Sequence, residues 1–132
     1  MRVESLGSEP LVITAPRSSW ELGSRAASFE GGVELARGPF ALSCERLELS
    51  FDERGRIQTA TAIGAVRVER QPWVATGQRG TLTAASGLLV LTGEPRVSDG
   101  QSTLSGAQVE LHLDDERVDC QDCQLVVELP SP

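Results

Sequence analysis

Lysine, asparagine and tyrosine are absent from this chain, and all twelve of its basic residues are arginine. The three missing types share AT-rich codons, so their joint absence reflects a GC-rich coding sequence rather than a function. Aromatics make up only 4%, too few for the stacking platforms of a sugar-binding jelly roll, and Trp20 and Trp73 read as packing groups. The one histidine, His112, has no nucleophile pattern around it, which argues against Ser-His-Asp catalysis. No apolar run reaches the roughly 18 residues of a membrane-crossing helix. Basic charge is scarce: 12 basic against 19 acidic residues leave −7. Nucleic-acid backbones and anionic lipid surfaces both call for a basic stripe, so neither is an expected partner. An acidic protein can still grip an anionic amphiphile by its apolar part. The first residues, Met1-Arg-Val-Glu-Ser, lack the apolar stretch of a secretion signal.

Cysteine is sparse as well, with Cys44, Cys120 and Cys123 an odd count. Cys120-Gln-Asp-Cys123 has the spacing of a redox or metal motif, but redox use wants a helix start that lowers the thiol pKa. Zinc needs four ligands, and only Cys44 and His112 remain to help. Two readings stand: a small disulfide, or two thiols flanking a turn. Asp114-Asp115-Glu116 and Asp119 could coordinate calcium, yet Asp52-Glu53 holds the same place after an earlier strand, as turn formers do. The expectation is no catalytic residue, no cofactor and no metal.

What the chain does contain is itself, repeated. Thr14 returns as Thr76, a shift of 76 − 14 = 62, and the same shift carries Gly31 to Gly93, Gly38 to Gly100, Leu42 to Leu104, Glu48 to Glu110 and Leu49 to Leu111. A weaker half-period is visible where Gly64-Ala-Val66-Arg-Val68 echoes Gly31-Gly-Val33-Glu-Leu35. A fixed self-similarity means like units stacked on one another.

Almost every segment alternates with period two, the signature of strands. Turn residues fall at Gly31-Gly32, Gly38-Pro39, Asp52 to Gly55, Ser86-Gly87, Gly93 to Pro95 and Asp99-Gly100, the last a two-residue hairpin signal. This spacing gives an all-β sandwich or barrel-like roll. Leu47, Leu49 and Phe51 alternate with Glu48 and Ser50, which favours a strand over a helix there. Inward positions are even at Leu42 and Cys44 but odd from Leu47, and the copy switches likewise between Leu104 and Val109. A bulge or sharp bend is therefore expected near 44–47 and near 106–109. Residues 1–10 read as a flexible lead-in and 11–129 as a single domain, with Pro130 and Pro132 ending the last strand.

An apolar stripe should face one interior: Val33, Leu35, Leu42, Leu47, Leu49, Phe51, Val66, Val68, Leu82, Leu89, Leu91, Val97, Leu104, Val109 and Leu111. It forms either a plain closed core or an open trough able to hold acyl chains.

Several segments resemble the OstA-like/LptA-type domain: Ile13-Thr-Ala15, Phe29-Glu-Gly-Gly-Val33-Glu-Leu, Leu42-Ser-Cys-Glu-Arg-Leu47-Glu-Leu-Ser-Phe51-Asp, Ile63-Gly-Ala-Val66-Arg-Val68, Leu91-Thr-Gly93-Glu-Pro95-Arg-Val97 and Leu104-Ser-Gly-Ala-Gln-Val109-Glu-Leu. The resemblance covers about residues 11–128. It implies a twisted, partly open antiparallel β-jellyroll built from repeated hairpin units. It also implies a periplasmic, lipopolysaccharide-binding transport role, with acyl chains held against the stripe above, except Leu42. Partners would be lipopolysaccharide and LptC-like or LptD-like jellyroll domains, reached by pairing at the edge strands near 11–15 and 125–129, and also further copies stacked head to tail. An LptC-type periplasmic domain shares the implied fold, and a ligand-free structural β-roll or a carbohydrate-binding jelly roll remain as other readings. A periplasmic location would place the secretion signal outside this sequence.

Overall fold

The computed structural model describes residues 10–129. The expected lead-in over 1–10 lies, but for Pro10, outside those residues, as do Pro130 and Pro132. Twelve strands and no helix make up the described chain: β1 (Val12–Thr14), β2 (Arg17–Glu21), β3 (Ala26–Arg37), β4 (Phe40–Phe51), β5 (Ile57–Arg70), β6 (Trp73–Thr83), β7 (Leu88–Thr92), β8 (Arg96–Ser98), β9 (Ser102–Ser105), β10 (Gln108–His112), β11 (Arg117–Gln121) and β12 (Gln124–Val127). Every pairing is antiparallel.

The registers resolve these strands into longer ribbons, each bent once in the middle. β3, β4, β5 and β6 are continuous, while β1/β2, β7/β8, β9/β10 and β11/β12 are split, giving 4 + 4 = 8 ribbons. One half of each ribbon lies in a first wall, ordered β2, early β3, late β4, early β5, late β6, β7, β10, β11. The other half lies in a second wall, ordered β1, late β3, early β4, late β5, early β6, β8, β9, β12. The sheet is thus folded along a line that crosses every ribbon, and the inner faces of the two walls share one aliphatic core.

The repeat marks that fold line. Gly31-Gly32, Gly64-Ala65 and Gly93-Glu94 all have positive φ, between 47° and 98°. The register shifts beside the first two, where β3 and β5 carry an extra residue. A Cβ on Gly31 would meet Pro16, on Gly64 would run into Glu45, and on Gly93 would run into Gln78. Each corner glycine therefore makes room for the side chain of the preceding ribbon to cross the fold. Ala65 and Glu94 accept the left-handed region, which L-residues adopt at a cost.

Two sequence expectations are corrected here. Gly31-Gly32 is a corner inside β3 and Gly93 to Pro95 the corner joining β7 to β8 in one ribbon, rather than hairpin turns, and Asp99-Gly100 opens a three-residue loop, Asp99 to Gln101, between β8 and β9. The expected bend at 44–47 is present, with Cys44 and Leu47 both buried on either side of exposed Glu45. The extra residues sit on β3 and β5 rather than on β4 itself. Near 106–109 the ribbon breaks at Gly106-Ala107.

Candidate functional site

The stripe faces one interior, as its period required. Val33, Leu47, Val66, Leu89, Leu91 and Val109 have at most 1% exposure, so the middle of the molecule is a closed seam. Leu35, Leu42, Leu49, Val68, Val97 and Leu111 are buried, and Leu82, Leu104 and Phe51 are partly buried against them.

The walls separate toward the rim opposite the fold line, where the hairpin turns gather. Two apolar cavities lie there. The larger, about 400 Å³, is bounded by Phe40, Val68, Trp73 and Val97 of the second wall and by Leu111, Leu113 and Val118 of the first. The other, about 270 Å³, is bounded by Leu35 and Phe40 of the second wall and by Leu49, Ile57, Ala60 and Leu82 of the first, with Leu11 beside them. Both touch Pro39, Phe40, Arg70 and Leu113, so together they form one furrow divided in the middle. The divider is a clasp between the walls: Arg70 Nη1 donates to the Leu113 carbonyl at 3.0 Å, and Nη2 lies 3.4 Å from Glu116 Oε2.

Six of the sequence-predicted positions reach this furrow: Leu35, Leu49, Val68, Leu82, Val97 and Leu111. Leu47, Val66, Leu89, Leu91, Leu104 and Val109 border neither cavity. Val33 borders a notch beside the fold line, and Phe51 one beside Trp20. Sequence reasoning missed Pro39, Phe40, Ile57, Arg70, Leu113 and Val118. These stand at turns and strand ends, where alternation fades, and Phe40 follows a turn signal that drew attention to Gly38-Pro39 instead.

The tryptophans are not interior packing groups. Trp20 is 57% and Trp73 40% exposed. Trp20 stacks on Phe51, with centroids 5.9 Å apart, and meets Phe29 edge-on, so it covers the rim of the core on an edge strand. Trp73 stands at the furrow mouth. Of nine exposed large hydrophobics among the described residues, the other eight are Leu11, Val12, Trp20 and Leu22 at one end and Leu125, Val126, Val127 and Leu129 at the other. Those ends are the sheet edges. β1 and β2 pair only with β3, β11 only with β10, and β12 only with β9.

Cys120 and Cys123 form a disulfide across the corner between β11 and β12, with Cα atoms 6.0 Å apart. Gly106 of the neighbouring corner leaves the space that both sulfurs fill. Cys44 is buried, and burial pushes its thiol above the ordinary value, which leaves no reactive nucleophile there. His112 sits on the outward face of β10, hydrogen-bonded to Asp119.

Residues 12–117 match the family described as LptA/(LptD N-terminal domain) LPS transport protein. The chain belongs to this family. Among solved structures, its fold is similar to that of LptH, the LptA-homologous periplasmic component of the lipopolysaccharide transport device of Pseudomonas aeruginosa. The TM-score is 0.84 at 16% identity, over 92% of this chain and 97% of that one. At that identity the likeness is one of fold. No curated protein matches the sequence significantly. The all-β, open jellyroll expectation is borne out, and no helix among the described residues is long and apolar enough to cross a membrane.

Proposed function

We propose that this LptA-family chain is a periplasmic carrier of lipopolysaccharide, not an enzyme, that shelters acyl chains in the furrow between its two walls. The observation that carries the reading is the pair of apolar cavities meeting at Phe40, Arg70 and Leu113 in a chain of this family. Each methylene removed from water there stabilises the complex by about 0.8 kcal/mol. The sugar-phosphate head stays outside, since the acidic body offers it no general attraction.

The two edges support the second half of the role. An exposed edge carries unpaired backbone groups and invites another strand, and here each edge is also rich in exposed aliphatics. End-to-end pairing with LptC-like or LptD-like domains, or with further copies, would align their furrows into a bridge between the membranes.

Photo-crosslinking tests the furrow. A benzoylphenylalanine at Leu82 or Leu113 should form lipopolysaccharide adducts, while one at Glu48, on the exposed outer face, should not. Adducts from Glu48 alone would sink the proposal.

A further inference from the structure

On the outer face of β10 and β11, the described residues bring one set of metal-ligating side chains together: Glu110, His112 and Asp119, whose ligand atoms all lie within 4.8 Å of one another. Strand geometry assembles them. Glu110 and His112 alternate with buried Val109 and Leu111, so both project outward from β10. Asp119 on β11 is the cross-strand partner of Glu110, and Arg117 that of His112. His112 Nε2 lies 3.0 Å from Asp119 Oδ2. On the opposite flank β7 sets Val90 beside Glu110 and Leu88 beside His112, an apolar shoulder that shields one side.

This arrangement asks for a cation. Carboxylates directly opposite each other across a strand pair repel. Arg117 partly answers, with Nε 3.5 Å from Asp119 Oδ2 and Nη2 3.2 Å from His112 Nε2, while Gln108 donates to Glu110 at 3.1 Å. A guanidinium against an imidazole nitrogen is a poor use of a metal ligand. Arg117 is largely exposed and has Asp115 within 3.9 Å as another partner, so it can swing aside.

We propose that Glu110, His112 and Asp119 bind a divalent transition-metal ion of the zinc type on the outer face of the β10–β11 hairpin. One imidazole nitrogen with two carboxylate oxygens suits zinc or nickel, whereas calcium and magnesium prefer oxygen alone. Ligand bonds of roughly 2.0–2.2 Å around one ion require Arg117 to leave His112 and Asp119, and the three ligand atoms, now within 4.8 Å of one another, to draw in. The bound ion ties the edge strand β11 to β10 near the furrow mouth, which His112 also borders.

The test uses the folded, tag-free chain and zinc or nickel chloride alone. Calorimetric titration should give one equivalent per chain, and the melting temperature should rise with metal concentration. His112→Ala should weaken binding by at least about tenfold, and Glu110→Gln and Asp119→Asn by about that much each. Arg117→Gln, which removes the competing cation, should bind more tightly. Circular dichroism without metal checks that each variant is folded. Lack of saturable binding, one-equivalent binding indifferent to His112→Ala, or an Arg117→Gln variant that binds no tighter would each overturn the assignment.

Discussion

Replacing Leu91 by Ala separates the closed seam from the furrow. Leu91 has no exposed surface, and its cross-strand neighbours are Gly80 on β6 and Val109 on β10. Gly80 has no side chain to move into the gap, and neither has Gly77, which also faces Leu91. The hole cannot collapse from that side, so the loss should fall in the upper part of the Leu→Ala range, about 4 kcal/mol. Against a total of roughly 5–15 kcal/mol this is a large fraction. The converse change, Gly80→Ala, would put a Cβ 3.0 Å from Leu91 Cδ2 and 3.4 Å from Leu89 Cδ1. Its crowding of about 1–3 kcal/mol is partly offset by a stiffer unfolded chain. In the double variant the new methyl enters the hole, so the two effects should fall short of their sum by about 1–2 kcal/mol. Urea unfolding followed by far-UV circular dichroism measures all three. The folded Leu91→Ala chain should still capture an apolar fluorescent probe as well as the parent does. A cost under about 1 kcal/mol, strict additivity, or lost probe binding would refute the seam and return Leu91 to the lipid path.

Arg70→Ala should open the clasp: binding of the probe N-phenylnaphthylamine rises, while stability falls by about 1–2 kcal/mol for one carbonyl hydrogen bond and one exposed ion pair. Unchanged probe binding would mean the clasp is no barrier. Gly106→Ala should destabilise by about 1–3 kcal/mol, because its Cβ would come within 2.6 Å of the Gln121 carbonyl and 2.7 Å of both disulfide sulfurs. Thermal melts should show part of that loss recovered when Cys120 and Cys123 are both replaced by Ser. Asp52 and Asp99 are held below the ordinary carboxylate value of 3.8, Asp52 first by the Arg56 backbone N–H and Asp99 by those of Gln101 and Ser102. Their contribution is present above that value and lost as pH falls through the depressed one. Melting temperatures of Asp52→Ala and Asp99→Ala should therefore trail the parent at neutral pH and converge on it in strong acid.

The fold was legible because burial enforces period two, and because one spacing, 62, aligned Gly31 with Gly93 and Leu42 with Leu104. What Gly31-Gly32 meant was less legible. Positive φ serves a hairpin turn and a corner alike, and only the pairing of β3 on both sides of the glycines tells them apart. β2 left no clear signal, because an edge ribbon has one neighbour and a weakly covered inner face, so Arg17 to Glu21 carry hardly any apolar alternation. The furrow was half legible. Leu49 and Leu82 follow from periodicity, but Arg70 and Leu113 meet only because two distant hairpins end at the same rim.

The fold line has a consequence at the two ends of the molecule. Each edge consists of two short segments in different walls, β1 with β2 and β11 with β12, joined by a corner. A flat strand cannot satisfy both. A one-residue slip along one wall would have to be matched along the other, and the corner of the incoming ribbon would then miss the crease. In the proposed end-to-end pairing, the edge would thus work as a notched key, admitting only chains that bend at the matching residue and fixing their phase as they dock. A sheet that lacks the crease would find no continuous ladder to join along this aliphatic edge.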